Sequence, residues 1–286
     1  MQPKRAIAFG MSGNFAFAVA SVMQDLNHHS SRHFDEFVIF HDGISECDKE
    51  IIQSIFPTRF IHYSSPFVGT RVMDMGYISQ FTPMVFSKFE ALSLLREYES
   101  VVWLDYDIVI LEDLEELFQP TSRGIKIVAA GKPVEGNFKI PVPGYDMGRE
   151  GMSAGTIFFS RDIGNFDLMY DYCLSKTLEM ADILYMPEQA IFDLMIQDFS
   201  LNPEILANTV YVPHPKTADG NALILHAYGV EKFWHGLDNI QWNKNYSWWI
   251  SEGGSPYKPP NIIEKISRNV SRANRTLRRK LLGPFR

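Results

Sequence analysis

Asp105 and Asp107 stand one residue apart at the end of an apolar run, in "VVWLDYDIVILEDLEELF" from Val101. Side chains alternate faces along a strand, so the two carboxylates point the same way if the strand runs through both. If the strand stops there, they sit at its C-terminal end, where open α/β sheets bind ligands. In either case two close carboxylates repel, and each raises the other's pKa. A divalent cation removes that repulsion. Oxygen donors suit Mg²⁺ or Mn²⁺, which bridge protein carboxylates and substrate phosphates. The alternative is a pair of loop aspartates making turn or cap hydrogen bonds. The apolar "VVWL" before the pair favours the metal.

Such a pair needs a scaffold that delivers strand ends to one place. "RAIAF", "EFVIFHD" and "TRFIHYS" read as strands, separated by helical patterns in "NFAFAVASVMQDL" and "SECDKEIIQSIF". Ser45 marks the start of the second helix. "TPMVFSKFEALSLLREY" has Thr82 as a cap and Pro83 at the first helical position, and leads into the Asp105 strand. This alternation predicts an α/β sheet, at least partly parallel. Beyond Leu111 the order is mixed. "KIVAA", "GTIFFS" and "ALILHAYG" read as strands, "FDLMYDYCLSKTL" and "PEQAIFDLMIQ" as helices. Gly131 to Gly151 is a Pro- and Gly-rich connection, and long irregular loops between core strands are often functional. It is expected to order over a bound substrate and exclude water.

At these residues the chain resembles family 8 of the retaining glycosyltransferases, which includes glycogenin and bacterial lipopolysaccharide α-galactosyltransferases. "VWLDYDIVILEDLEELF" is similar to the family's metal-binding strand and the acidic segment after it. "MSAGTIFFSRD", "MPEQAIFDLMI" and "LILHAYGVEKFWHG" resemble three further family segments, in the family's order. The resemblance covers roughly the first 240 residues and four ordered motifs. It implies a GT-A fold, a Rossmann-like mixed and mainly parallel sheet flanked by helices. It also implies Mn²⁺ (or Mg²⁺) and a sugar nucleotide, usually UDP-linked, as donor. A catalytic domain over 1–240 is expected, followed by an aromatic-rich segment and tail over 241–286.

The resemblance carries roles to single positions. His226 is the third metal ligand beside Asp105 and Asp107. Lys232 reaches the diphosphate, where charge grows as the glycosidic bond breaks, and Gly229 lets the backbone approach the phosphates. Gln189 and Glu188 are the catalytic candidates, with Gln189 on the sugar face opposite the leaving group. An amide is a poor nucleophile, so a same-face mechanism is favoured, in which the departing phosphate helps deprotonate the acceptor. Phe15 stacks on the base. Four positions depart from the family: Ser12 replaces the aspartate that recognises uracil, Lys88 an arginine, Ser153 an asparagine, and Glu188 an aspartate. These bear on which nucleotide and which sugar bind.

The 286 residues are 45% hydrophobic, enough for one large domain. Two cysteines far apart suit a reducing compartment, and no apolar segment is long enough for a signal core or a membrane span. The net charge of −7 hides an asymmetry: from Asn261 on there are eight Lys/Arg and one acid, while the first 260 residues carry 19 against 33. The acidic body argues against nucleic acid as a partner. In the tail Ile263, Ile266, Val270, Ala273, Leu277 and Leu281 recur at helical spacing among basic residues. This predicts an amphipathic helix that docks on an anionic membrane surface. The expected location is therefore cytoplasmic, peripheral on the inner face of a bacterial cell membrane, beside a glycan or lipid-linked acceptor of lipopolysaccharide or capsule synthesis. Trp242, Tyr246, Trp248, Trp249 and Tyr257 either stack on a sugar or membrane interface, or pack this segment on the body, which is favoured. A nucleotidyltransferase or metal phosphohydrolase could use the same aspartates, but needs further acidic ligands and leaves "EQ" and "HAYGVEK" unexplained. A non-catalytic sugar-nucleotide-binding protein is the third reading, kept open by Ser12 and Ser153.

Overall fold

The computed structural model describes residues 4–74, 78 and 82–259. The predicted tail helix lies outside the described residues. The chain forms a seven-stranded sheet in the order β3-β2-β1-β4-β7-β6-β8 and a two-stranded ribbon of β5 and β9. The strands are β1 (Arg5–Met11), β2 (Glu36–His41), β3 (Thr58–His62), β4 (Ser100–Leu104), β5 (Ile108–Ile110), β6 (Ile125–Pro133), β7 (Glu150–Ser160), β8 (Glu204–Leu206) and β9 (Ile224–His226). The β1–β2, β2–β3, β1–β4 and β6–β8 pairs are parallel, and β7 runs antiparallel to both β4 and β6. This is the at least partly parallel sheet that the strand–helix alternation predicts, and the mixed, mainly parallel one that the resemblance implies.

The apolar runs are continuous because both faces of the sheet are covered. Ala6, Ala8, Val101 and Trp103 face one buried cluster, and Ile7, Phe9, Val102 and Leu104 face the other. Helices α1 (Ala16–Ser30) and α2 (Glu46–Ile55) follow the first two strands. Ser45 caps α2, its side chain accepting from the Asp48 amide at 3.1 Å. The segment before β4 is tighter than its helical pattern suggests. A 3₁₀ stretch, Pro83–Phe89, leads into the single α-helical turn α3 (Glu90–Ser93) and a second 3₁₀ turn, Leu94–Arg96. Its Thr82 cap is present, accepting from the Met84 amide. The short α4 (Glu115–Phe118) follows β5, and α5 (Phe166–Met180) and α6 (Pro187–Asp198) follow β7. The short α7 (Asn208–Tyr211) precedes β9.

The connection from 131 to 151 is tied to the body. Tyr145 donates to Asp198 at 2.7 Å, the Asp146 amide to Gln197 at 2.8 Å, and the Val134 amide to the Arg149 carbonyl at 3.0 Å. The aromatic segment forms α8 (Ile240–Ser251), which packs on α1. Trp242 and Trp249 are buried, so packing accounts for both.

One buried carboxylate joins three elements. Asp25 of α1 accepts from Gln241 at 2.7 Å and Asn245 at 2.6 Å on α8, and from the Ile110 amide of β5 at 3.2 Å. Burial pushes its carboxyl up to about 6, with those bonds pulling partly back. A raised carboxyl favours the folded state only while protonated. Its contribution is therefore complete below the ordinary value of 3.8 and lost as pH rises through about 6. Carboxyl-carbon NMR on the folded protein should show one aspartate titrating near pH 6 that vanishes in Asp25→Ala. Titration of that resonance below about pH 4 would contradict the burial argument.

Candidate active site

The strand containing the paired aspartates stops between them and the apolar run. β4 is buried throughout and ends at Leu104, and Asp105 makes one further ladder bond, its amide donating to the Gly155 carbonyl at 2.8 Å. After Tyr106 the chain turns onto the ribbon. Ile108 pairs with His226, and the Ala227 amide donates to the Asp107 carbonyl at 2.8 Å. The ribbon thus brings residues 226 and 227 against Asp107.

Nε2 of His226 lies 3.1 Å from an Asp107 oxygen and 3.9 Å from an Asp105 oxygen. One ligand atom from each of the three side chains falls within 4.8 Å of the others. Each carboxylate also holds a lysine. Lys88 reaches Asp105 at 2.9 Å and the Ala154 carbonyl at 3.0 Å. Lys232 contacts Asp107 and donates to the Ala227 carbonyl at 2.6 Å. Burial alone would raise the Asp107 carboxyl, but His226 and Lys232 hold it well below the usual carboxylate range. Burial likewise works against the Lys88 ammonium, yet Asp105 and Glu188 outweigh it and shift it upward.

The site fits a divalent cation. Two carboxylates and an imidazole are a suitable mixed O/N donor set, and the two lysines already place positive charge where the carboxylates face each other. The cradle has a shape requirement. A Cβ on Gly155 would fall 2.6 Å from Cε1 of His226 and 3.3 Å from an Asp105 oxygen. Only glycine leaves the three ligands room to converge.

The other sequence candidates divide into two groups, those expected on a sugar side and those expected on a nucleotide side. Glu188 is buried at the start of α6, with Oε1 3.6 Å from Lys88. Its Oε2 has no hydrogen-bond partner among the described residues. Burial pushes its carboxyl up, and Lys88 only partly offsets this. Gln189 is buried beside it and donates to Asn137 at 3.0 Å, and Asn137 donates to Asp193 at 2.7 Å. Ser153, on β7, accepts from the Gly155 amide at 3.5 Å. On the nucleotide side Phe15 stacks on Tyr106 at 5.4 Å between ring centres, and Trp234 lies 5.7 Å away. Ser12 turns to the neighbouring strand end and donates to Asp42 at 2.8 Å, while the Gly13 amide donates to the same carboxylate at 3.0 Å. Gly229 adopts φ +90°, the left-handed region that favours glycine, between His226 and Lys232. The structure therefore gathers Asp105, Asp107, His226, Lys88, Lys232 and Glu188 in direct contact. Gln189, Ser153, Phe15, Ser12 and Gly229 lie on the segments that flank them.

The sequence profile of glycosyl transferase family 8 matches residues 6–137, a span that contains Phe15, Lys88 and both aspartates. Over this segment, a little under half of the chain, the sequence is similar to glycosyl transferase family 8. Solved structures share the fold across most of the chain. The bifunctional glycosyltransferase WbbM aligns with a TM-score of 0.67 at 14% identity, over 88% of this chain and 52% of that one. The chain thus spans about half the length of WbbM. The galactosyltransferase LgtC, solved with donor and acceptor sugar analogues, aligns at 0.61 and 13% identity over 90% and 98%. GlyE of Streptococcus pneumoniae aligns at 0.56 and 14% identity over 87% and 64%. At such identities the likeness is one of fold. No curated protein sequence gives a significant match.

Sequence reasoning missed Asp42, Tyr106 and the Asn137–Asp193 link to Gln189. Asp42 follows an ordinary strand, and only the parallel Met11–His41 register brings it beside Ser12. In Gly155→Ala the added methyl should push His226 away from the aspartates. Mn²⁺ affinity, read by calorimetry, should fall by about tenfold or more. An unchanged affinity would show that the three side chains do not bind together.

Proposed function

We propose that this glycosyltransferase moves a hexose from a UDP-linked donor to a glycan or lipid-linked acceptor, with retention of configuration and with a divalent metal, Mn²⁺ or Mg²⁺. The observation that supports it most is the Asp105, Asp107 and His226 cluster flanked by Lys88 and Lys232. Bound there, a divalent cation would offset charge on the donor diphosphate as the glycosidic bond breaks. Lys232 is the residue that can exchange Asp107 for a phosphate oxygen, and Gly229 gives its segment the turn that allows close approach. Phe15 and Tyr106 present aromatic surface for the base. Ser12 and Asp42 provide polar groups at its edge.

Glu188 supports a same-face mechanism. Burial raises its carboxyl and Lys88 already engages it, which makes it a poor covalent nucleophile. Its partnerless oxygen suits a donor-sugar hydroxyl. Gln189 is held by Asn137 and serves to position the sugar face. The acceptor hydroxyl then gives its proton to the departing phosphate, and the new bond forms on the face the phosphate leaves. A glycosyl adduct trapped on Glu188 and seen by mass spectrometry would overturn this route.

Turnover should depend on Mn²⁺ with at least one donor in a panel of sugar nucleotides, and UDP with Mn²⁺ should raise the melting temperature. Asp107→Ala should lower transfer by about a hundredfold or more while the protein stays folded. Full activity in that variant would remove the metal assignment. Stabilisation by GDP or CMP but not UDP would remove the base assignment.

The location is proposed from sequence. Among the described residues no helix is long and apolar enough to cross a membrane. The basic amphipathic pattern after Asn261 supports reversible docking on the anionic cytoplasmic face of a bacterial membrane, beside an acceptor of lipopolysaccharide or capsule synthesis. Full-length protein should float with anionic liposomes at low salt, and a chain truncated after Pro260 should not. Equal flotation of the two would exclude the tail as the anchor.

A further inference from the structure

Lys88 and Lys232 are paired with carboxylates, but two cations near Gln189 are not. Lys132, on β6, and Arg149, just before β7, flank the point where the two strands part. Pro133 pairs with Glu150, and the Val134 amide donates to the Arg149 carbonyl at 3.0 Å. The place of a Cβ on Gly151 is 3.2 Å from the Lys132 carbonyl and 3.3 Å from the Asp193 carboxylate. This neck therefore packs directly against Asp193. Asp193 accepts from the Met152 amide at 3.0 Å and from Asn137 at 2.7 Å, and Asn137 accepts from Gln189. One chain of hydrogen bonds thus links the neck to the sugar side of the site.

Both side chains are half-buried, and neither side chain makes a hydrogen bond or ion pair among the described residues. Burial lowers the Lys132 ammonium, which Asp193 and Glu188 support only from a distance. Arg149 and Lys132 both act on Asp193. Those carboxylates are otherwise engaged: both Asp193 oxygens accept from buried donors, and Glu188 faces Lys88. A partly buried cation without a close counter-ion gains most from an anion that arrives with a ligand. The arginine fork and the lysine point charge together suit a carboxylate. The first 260 residues carry 19 basic against 33 acidic side chains, so an acidic substrate would be repelled unless local cations received it.

We propose that Lys132 and Arg149 form an anion subsite beside the sugar site, filled by the carboxylate of an acidic sugar carried either by the donor or by the acceptor. This rests on the sugar-transfer reading above and narrows its substrate class.

The test uses the full chain with Mn²⁺. In the donor arm, the affinity of UDP-glucuronic acid is compared with that of UDP-glucose. In the acceptor arm, glucuronic acid is compared with glucose in the presence of UDP. One arm should favour the acid by about tenfold or more, and the arm that does so identifies the carrier. Lys132→Ala and Arg149→Ala together should abolish the preference and leave the melting-temperature shift with UDP and Mn²⁺ unchanged. No acid preference in either arm, with UDP still binding, would overturn the inference and leave the transferase reading standing. A preference that survives the double variant would overturn it too, as would a fall in stability with the preference intact, which marks the cations as mere counter-charges to Asp193. Failure of the wild type to bind UDP at all would remove the donor reading and the subsite together.

Discussion

Mutual repulsion between Asp105 and Asp107 is the constraint around which the rest of the molecule is arranged. Two like charges about 4 Å apart repel by about 4 kcal/mol at the effective dielectric near a protein surface. That is a large part of the 5–15 kcal/mol by which folded domains are stable, so the pair persists only with compensation. Lys88 answers one carboxylate, and Lys232 with His226 answers the other. Each compensating group comes from a different part of the chain. The segment before β4, the ribbon of β5 and β9, and the bare backbone of Gly155 can all be read as the means of delivering them.

The cleft that results has two unlike ends. The rings of Phe15, Tyr106 and Trp234 give one end a flat apolar wall, suited to a planar group. The other end is built from buried polar side chains in which Gln189, Asn137 and Asp193 satisfy one another. The partnerless oxygen of Glu188 is the exception in that network. Buried polar atoms are nearly always bonded, so an exception points toward something that is bound in use. The Asp105, Asp107 and His226 cluster lies between the two ends, where the proposed donor would place its diphosphate.

Much of this was legible from residue order alone. The apolar runs marked β1, β2, β4 and β7 because strands buried on both faces carry no polar alternation to confuse with a loop. Asp105 and Asp107 stood out because carboxylates closed such a run, whereas His226 was marked only by the family resemblance. Two of the three-residue strands were not legible. β5 and β8 carry too little pattern to be told from loop, and β5 looked like the lead-in to an acidic helix. The helix expected from Pro83 is largely 3₁₀, since its burial on nearly every side left tertiary packing to override local preference. Asp42 was invisible for another reason. Its partner Ser12 is 30 positions away, and only strand register makes them neighbours. Lys132 and Arg149 gave no signal because the absence of a partner is a property of space, not of spacing.

The ribbon has a consequence for how the molecule comes into being. Ile108 meets His226 across 118 positions, and Lys232 reaches Asp107 across 125. During synthesis the whole of β1 to β4 can leave the ribosome and begin to pack while the charged pair at its edge still lacks its imidazole and one of its lysines. The growing chain must therefore carry an acidic edge in which Lys88 answers Asp105 but nothing yet answers Asp107, until residues near 232 emerge. Closure of that long loop is an entropically slow step. Residues 6–137, which match the family profile, thus cannot complete the Asp105–Asp107–His226 cluster, which becomes whole only when β9 folds back onto β5.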